Sequence, residues 1–325
     1  MDQSEVGDRD TSIENIKVNL FDKYKKNASS GFGTDVLLSS EKDGWVNQGY
    51  TVLKEGVLVD TSGVMVGDDT RIFMASLTNP FLMAVFARHY SLNNIDVSQD
   101  LLDGHSFAGI VRDSLSRSGT TSAVALSRAK KWLFENGTSI DSMEHTINEL
   151  YIPSLILTRD PETIETEKYA NTAKILDIGK GFDALVLRCN QGDIYFRHLA
   201  SAMMHPRFEC GFHFKDVFPE VDLDKYQVIQ KVGIYPNITF SPVLAEQGFP
   251  AHNTLLTLLN VQNKDKGNPP STILIWRSEE VQLPGSLAEL DDKEYMEGYV
   301  YPRLERSTTK MKRYVQSVVS PYLYE

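Results

Sequence analysis

Short apolar segments separated by turn residues fill the amino-terminal part of the chain. Between Val36 and Ala75 these segments are three to four residues long, and Glu55-Gly56 and Ser62-Gly63 lie between them. Short apolar runs bounded by Gly, Asp and Ser are typical of β-strands joined by tight turns. The pattern predicts a meander of strands in this region.

The apolar positions then change to helical spacing. Phe107, Ile110, Val111 and Leu115 fall at i, i+3, i+4 and i+8, which predicts an amphipathic helix. A second helix carries its apolar side chains on one face between Ala125 and Leu133. A third is predicted at about 139–150, ahead of a proline. The central part of the chain is therefore predicted to be a helical block.

Strand patterns return after the helical block. Two apolar runs, 184–188 and 194–197, flank Asn190-Gln191-Gly192-Asp193, a sequence that favours a β-hairpin turn. Further strands are predicted at 155–157, 226–235 and 273–276. The order of strands, helices and strands predicts an α+β fold, in contrast to a regular alternation of strands and helices.

The two ends of the chain differ in character. Residues 1–15 are acidic with few apolar side chains, which predicts a flexible arm, and residues 16–310 are predicted to form one α+β domain. In 311–325 apolar positions follow helical spacing until Pro321, which is expected to end the helix. This apolar end predicts an oligomerisation arm that docks on a neighbouring subunit, with docking on its own domain as the alternative. The residues assigned to oligomerisation are Val315, Val318, Val319, Tyr322, Leu323 and Tyr324.

Positive charge is concentrated in two places in an acidic chain of net charge −11. Local basic clusters can bind phosphate groups even when the whole protein is acidic. This segregation predicts single-stranded RNA binding, although a solvated helix surface is the alternative. The residues assigned to RNA binding are Arg112, Arg117, Arg128, Lys130, Lys131, Arg306, Lys310, Lys312 and Arg313.

Composition places the chain in the cytoplasm. No apolar run approaches the roughly 20 residues of a membrane helix, and the acidic first residues argue against a signal peptide. Two cysteines, Cys189 and Cys210, indicate a reducing compartment. His205, Cys210 and His213 form a loose group without the paired spacing of zinc sites, so neither a metal nor a cofactor is predicted.

Gly104-His105-Ser106-Phe107-Ala108-Gly109 resembles the nucleophile elbow of the α/β-hydrolases. The segment before it is too polar for a buried parallel strand, and the fifth position is Ala108 instead of glycine. His252 and Asp216 are candidate partners that nothing in their surroundings singles out. A serine hydrolase using Ser106 is therefore the alternative to a binding protein without catalysis.

Taken together, these features resemble the viroplasm-forming nonstructural proteins of turreted reoviruses, such as those of cypoviruses and fijiviruses. The resemblance lies in chain length, the acidic amino end, the strand–helix–strand order and the hydrophobic carboxyl-terminal arm. It implies dimers joined into octamers, single-stranded RNA as ligand, and cytoplasmic inclusion bodies where other viral replication proteins are partners. The resulting hypothesis is a non-catalytic RNA-binding scaffold. Its alternatives are the Ser106 hydrolase and a structural interaction protein.

Overall fold

The computed structural model describes residues 46–63, 71–98, 100–102, 104–117, 120–157, 171–207, 212–236, 251–281 and 301–324, with 294, 297 and 298 as single positions. In these ranges the strands are β1 Val46–Lys54, β2 Val57–Ser62, β3 Arg71–Phe73, β4 Asp100–Leu102, β5 His105–Ser106, β6 Thr172–Lys174, β7 Tyr226–Pro236, β8 Ala251–Asn263 and β9 Ser271–Val281. The helices are α1 Asn79–Asn93, α2 Phe107–Leu115, α3 Thr120–Glu135, α4 Ile140–Leu150, α5 Ile175–Gln191, α6 Ile194–Met204, α7 Phe214–Val217 and α8 Tyr301–Tyr324, with a 3₁₀ helix at Ala75–Thr78. Strands and helices occupy the order expected of an α+β fold, and that prediction is confirmed.

An antiparallel sheet of five strands, in the order β2-β1-β9-β8-β7, forms the middle layer. Side chains alternate between its two faces because successive residues of a strand point in opposite directions. On β9, Leu274 and Trp276 pack toward the helical block, whereas Ile273 and Ile275 pack toward the opposite face. Both faces are therefore apolar and covered by helices.

Helix α1 lies at the centre of the helical block. Its buried residues occur on every side, from Pro80 to Tyr90. A helix that is surrounded shows no apolar stripe, which explains why helical periodicity failed to predict it. Tyr90 contacts the rings of Phe86, Phe107 and Trp132, with centroids 4.5–4.9 Å apart.

Helix α8 covers the other face of the sheet. Val315 and Val319 are fully buried and Leu323 is 2% exposed, all packed on residues of β8 and β9. The helix continues through Pro321 to Tyr324, so the prediction that Pro321 ends it is wrong. Of the positions assigned to oligomerisation, Val315, Val318, Val319 and Leu323 are buried within their own chain, and self-association through this helix stays a prediction.

The predicted hairpin around residues 190–193 is wrong. Two helices, α5 and α6, meet there, and the Asp193 carboxylate accepts hydrogen bonds from the amides of Tyr195 and Phe196. Turn residues serve equally well between two helices, because Asp is a preferred helix N-cap. The predicted strand at 155–157 is reduced to a single bridge between Ile156 and Thr172. The acidic arm 1–15 lies outside the described residues.

None of the helices in the described ranges has the length and apolar character required to span a bilayer.

Candidate functional site

Ser76 lies in a strained turn between β3 and α1. Ala75, the residue before it, has a φ of +43°, a left-handed conformation that costs a non-glycine residue roughly 1–3 kcal/mol. Ser76 is partly exposed, and its hydroxyl makes no hydrogen bond within the described part of the chain. The turn thus presents an uncommitted hydroxyl at the start of a buried helix.

Hydrogen bonds on both sides hold this turn. The Met74 amide donates to the carbonyl of Asn171 over 3.0 Å, and the Leu77 amide donates to the carbonyl of Met74 over 2.8 Å. The Thr78 hydroxyl donates to the carbonyl of Ala75 over 2.8 Å. A strained conformation persists only where its surroundings determine it, and these bonds supply that constraint.

Lys231 lies on β7, on the face of the sheet that meets the helical block. It is fully buried, and its Nζ donates to the carbonyls of Ser114 (3.2 Å) and Arg117 (2.8 Å). Burial lowers the pKa of Lys231 to about 7, since a desolvated ammonium is costly. A neutral amine has two N–H donors and one lone pair. The two carbonyls take both donors and leave the lone pair as an acceptor.

A buried polar network links α1 to the segment that holds Lys231. The Asn79 amide donates to the Ser122 hydroxyl over 2.9 Å, and Ser122 donates to the carbonyl of Ser114 over 2.7 Å. That carbonyl is also an acceptor for Lys231. Because buried polar groups need hydrogen-bond partners, this network fixes the positions of α1, α3 and β7 relative to one another.

Gly233 allows β7 to approach the Ser76 turn. A Cβ at this position would lie 3.1 Å from the carbonyl oxygen of Met74 and 3.2 Å from the amide nitrogen of Leu77. Lys231 and Gly233 are two residues apart and share one face of the strand. The strained turn, the buried lysine and the closely packed strand backbone therefore converge on one region.

This arrangement has the parts of an acyl-transfer site. A serine on a strained turn can act as a nucleophile, and a lysine with a pKa near 7 can accept its proton. In this structure Lys231 is not hydrogen-bonded to Ser76. Because hydrogen bonds between catalytic groups are often long before substrate binds, that separation does not remove the pair from consideration.

No family model matches the chain, and no curated protein matches it. Several solved structures, in contrast, are similar to the chain. A class A β-lactamase from Bacteroides cellulosilyticus is 12% identical over 85% of this chain and 94% of its own, with a TM-score of 0.52. A class A β-lactamase from Mycobacterium abscessus is 14% identical over 89% and 98%, with a TM-score of 0.50. A mutant of the reconstructed Gram-negative ancestor of these enzymes is 11% identical, with a TM-score of 0.51 over 90% and 97%. The similarity shows a shared fold.

Class A β-lactamases carry the motifs S-x-x-K, S-D-N and K-T-G in chain order, with the first serine as nucleophile. Here Ser76-Leu77-Thr78-Asn79 matches the first except for its lysine, and Lys231-Val232-Gly233 matches the third except for its threonine. The sequence contains no Ser-Asp-Asn, and residues 116–118 read Ser-Arg-Ser. Asn79 stands where the first motif has its lysine.

The fold overturns the predicted RNA-binding scaffold. The resemblance to viroplasm-forming proteins is wrong, because the similar structures are β-lactamases and neither a family model nor a curated protein supports it. The prediction that the chain is not an enzyme is contradicted by the same finding, since this fold belongs to a class of serine enzymes. Single-stranded RNA and viral replication proteins are contradicted as partners for the same reason.

The basic residues of the RNA prediction lie on separate surfaces. On α3, Lys131 is 60% exposed and pairs with Glu135 at 4.0 Å. On α8, Lys312 pairs with Asp216 at 3.2 Å on the far side of the sheet. Arg112 and Arg117 contact Asp113 at the end of α2. The structure does not bring the two clusters together into one groove.

Ser106 does not form the predicted nucleophile elbow. Its hydroxyl caps α2 by accepting a hydrogen bond from the Gly109 amide over 3.3 Å. Asp216 lies in α7, which packs with α8 on the opposite face of the sheet, and His252 lies on β8. The α/β-hydrolase fold requires parallel strands, and this sheet is antiparallel. The similar solved structures agree better with the serine-hydrolase alternative than with an RNA-binding scaffold, but Ser106 has no nucleophile-elbow geometry.

Cys210 lies outside the described residues, and no cluster of three potential metal ligands occurs among the described ones. His205 contacts the carbonyl of Ser201 through Nδ1 at 3.0 Å. Cys189 is buried within the helical block, where burial raises the pKa of its thiol to about 12. A thiol of that kind is a packing residue.

Sequence reasoning missed Ser76 because the motif is broken at Asn79. Complete S-x-x-K matches occur elsewhere, at Ser39, Ser127 and Ser307. Of these, Ser127 is in the middle of α3 and Ser307 is fully buried in α8, while Ser39 lies outside the described residues. A usable signal was present at Lys231, the one charged residue of a predicted strand that also carries Val228, Ile229 and Val232.

Proposed function

We propose that this chain is a serine acyl-transfer enzyme with Ser76 as its nucleophile and a small molecule with a reactive acyl bond as its substrate. The observation that carries the proposal is the strained Ala75–Ser76 turn packed against β7, the strand that holds the buried Lys231, in a fold similar to that of β-lactamases. β-Lactams are the substrate class named by the similar structures and are the first class to test.

The chemical step begins at the Ser76 hydroxyl. Its oxygen attacks the acyl carbon while its proton passes, through one intervening water, to the neutral Lys231 amine. With a β-lactam, the C–N bond of the ring then breaks and the ring nitrogen takes the proton from Lys231. Water subsequently attacks the ester, releasing the acid and regenerating the Ser76 hydroxyl.

The absence of a lysine at position 79 lowers the expected rate of acylation. General-base catalysis contributes about 10²–10⁴-fold to a reaction rate. Because the first motif lacks its lysine, Lys231 is the only base of the described site, and it has no direct contact with Ser76. We therefore expect slow acylation and, because the same distant base would have to activate the hydrolytic water, a slower hydrolysis that leaves the acyl-enzyme detectable by mass spectrometry.

Intact-mass spectrometry with two reagents tests the proposal. Benzylpenicillin should add its whole mass, since ring opening expels no fragment, and a fluorophosphonate should add its phosphonyl group with loss of fluoride. Peptide mapping should place both adducts on Ser76. Labelling by the fluorophosphonate alone would keep the nucleophile and reject β-lactams as substrates.

Two alanine variants provide the matched control. Ser76→Ala should abolish labelling, and Ser106→Ala, which removes a serine at the start of the next helix, should leave it unchanged. Absence of any adduct on the wild type, or adducts that survive in Ser76→Ala, would overturn the proposal.

A further inference from the structure

A cleft of about 710 Å³ lies along α2, from its first turn to the residues just after it, and beside the carboxyl-terminal half of α6. No acidic side chain is among the described residues that line it. Three guanidinium groups and three imidazoles do line it, those of Arg112, Arg117, Arg207, His105, His198 and His205. We propose that this cleft binds a small phosphate monoester, at a site separate from Ser76.

The charge of the cleft differs from that of the protein. The chain has a net charge of −11, so a cleft with three arginines and no acidic side chain among its described lining residues is a local exception. Asp113 contacts Nε of Arg112 at 3.0 Å and Nε of Arg117 at 3.9 Å. Three arginines and one aspartate leave a formal charge of about +2, which matches a phosphate monoester of about −1.5 to −2 at pH 7.

The arginines are available for a ligand. Asp113 contacts Arg112 and Arg117 at their Nε atoms, and the terminal nitrogens of both guanidinium groups donate no hydrogen bond to a described residue. Arg207 forms no ion pair there. Arginine binds phosphate through two parallel N–H donors, which makes such free edges suitable for this anion.

The backbone holds two of these arginines side by side. A parallel bridge joins Arg117 and Arg207, and the Arg207 amide donates to the carbonyl of Ser116. Because these two backbone segments are already fixed before a ligand binds, the entropic cost of binding is lower. The volume of the cleft also exceeds that of a phosphate group and lies in the range of small-molecule sites. The ligand therefore carries an organic body as well as the phosphate.

The experiment compares phenyl phosphate with benzenesulfonate, which has a similar shape and one negative charge fewer. Isothermal titration calorimetry at constant ionic strength should show phenyl phosphate binding at least about tenfold more tightly. Binding should be equal in the wild type and in Ser76→Ala. Because that variant lacks the proposed nucleophile, its result keeps this site independent of the proposed function.

Single arginine replacements identify the cleft. Arg112→Gln and Arg207→Gln should each weaken phenyl phosphate binding by about tenfold or more, the loss of a charge-assisted contact. The control is Lys131→Gln, which removes one exposed positive charge on α3 and should change affinity less than about twofold. Arg117 is left intact because its carbonyl binds Lys231.

Three results would overturn the proposal: no phenyl phosphate binding up to about 10 mM, equal affinity for benzenesulfonate, or an equal loss in Lys131→Gln. Circular dichroism confirms that each variant folds. If Arg207→Gln does not fold, Arg112→Gln decides, since that side chain is 67% exposed and its replacement leaves the core intact.

Discussion

Two serines stand at the starts of adjacent helices and have opposite roles. Ser106 has an extended backbone (φ −77°, ψ 162°), and its hydroxyl caps α2 through the Gly109 amide. Ser76 follows the left-handed Ala75, and its hydroxyl has no hydrogen-bond partner in the described part of the chain. One serine stabilises a helix, and the other leaves its oxygen free at a local cost in energy.

This comparison shows that a serine before a helix is not by itself informative. What separates the two is the partner of the hydroxyl and the strain of the preceding residue, and both depend on distant parts of the chain. Met74 is held by Asn171, and Gly233 brings β7 against the Ser76 turn. Ser106 needs only the amide three residues ahead.

The largest expected effect concerns Lys231, the lysine that is fully buried on β7. Burial lowers the pKa of Lys231 from 10.5 to about 7. Between these values the unfolded chain holds a proton that the folded protein lacks, so the free energy of unfolding should rise with pH from 7 to 10.5. The full difference is on the order of 5 kcal/mol.

Lys231→Met should remove this pH dependence and make the protein more stable at pH 7. Urea unfolding of the variant and the wild type at pH 7, 8 and 9.5 measures the difference between them, which should shrink as the pH rises. Lys131→Met on the surface of α3 is the control. A wild type whose stability relative to the Lys231 variant is constant across this range would show that Lys231 is charged in the folded state.

The next effect concerns Asn79. Asn79→Lys restores a lysine three residues after Ser76 and should raise the rate of acylation by about 10²-fold, the lower range for a general base. The rate is followed by the time course of the intact-mass adduct. Asn79→Gln, which is similar in length and not basic, should show no increase. An equal rate in both variants would remove the role assigned to position 79.

Two glycine replacements then contrast the two serine regions. Gly233→Ala places a Cβ 3.1–3.2 Å from backbone atoms of Met74 and Leu77, and overpacking of this kind costs about 1–3 kcal/mol. Gly109→Ala meets only the Ser106 hydroxyl, at 3.5 Å, and should stabilise α2 by about 0.5–1 kcal/mol. Thermal unfolding should therefore shift in opposite directions, and a shared direction would contradict the assigned contacts.

The smallest effect is on stability in the two alanine variants. Ser106→Ala removes a helix cap and should cost about 1 kcal/mol. Ser76→Ala removes no hydrogen bond of the described residues and should change the free energy of unfolding by less than about 0.5 kcal/mol. Urea denaturation measures both. If Ser76→Ala proves the more destabilising of the two, its hydroxyl has a structural partner.

Several elements could be predicted because each shows its own pattern. The apolar faces of α2 and α3 and the strand pattern at 226–235 predicted elements that the structure confirms. Helix α1 gave no pattern because it is buried on all sides. The turn residues at 190–193 suited a hairpin and a helix junction equally, and only the packing of α5 and α6 distinguishes the two.

The sequence by itself determined the α+β class, the acidic net charge and the amphipathic character of the helix that ends at Tyr324. Tertiary structure alone decided that this helix covers its own sheet. It also placed the Lys231 amine against the backbone carbonyls of Ser114 and Arg117, which are more than 100 positions away in the sequence. The reason is physical. Periodicity reports how one segment faces a core, whereas a strained serine or a desolvated amine is defined by partners that only the folded chain brings into contact.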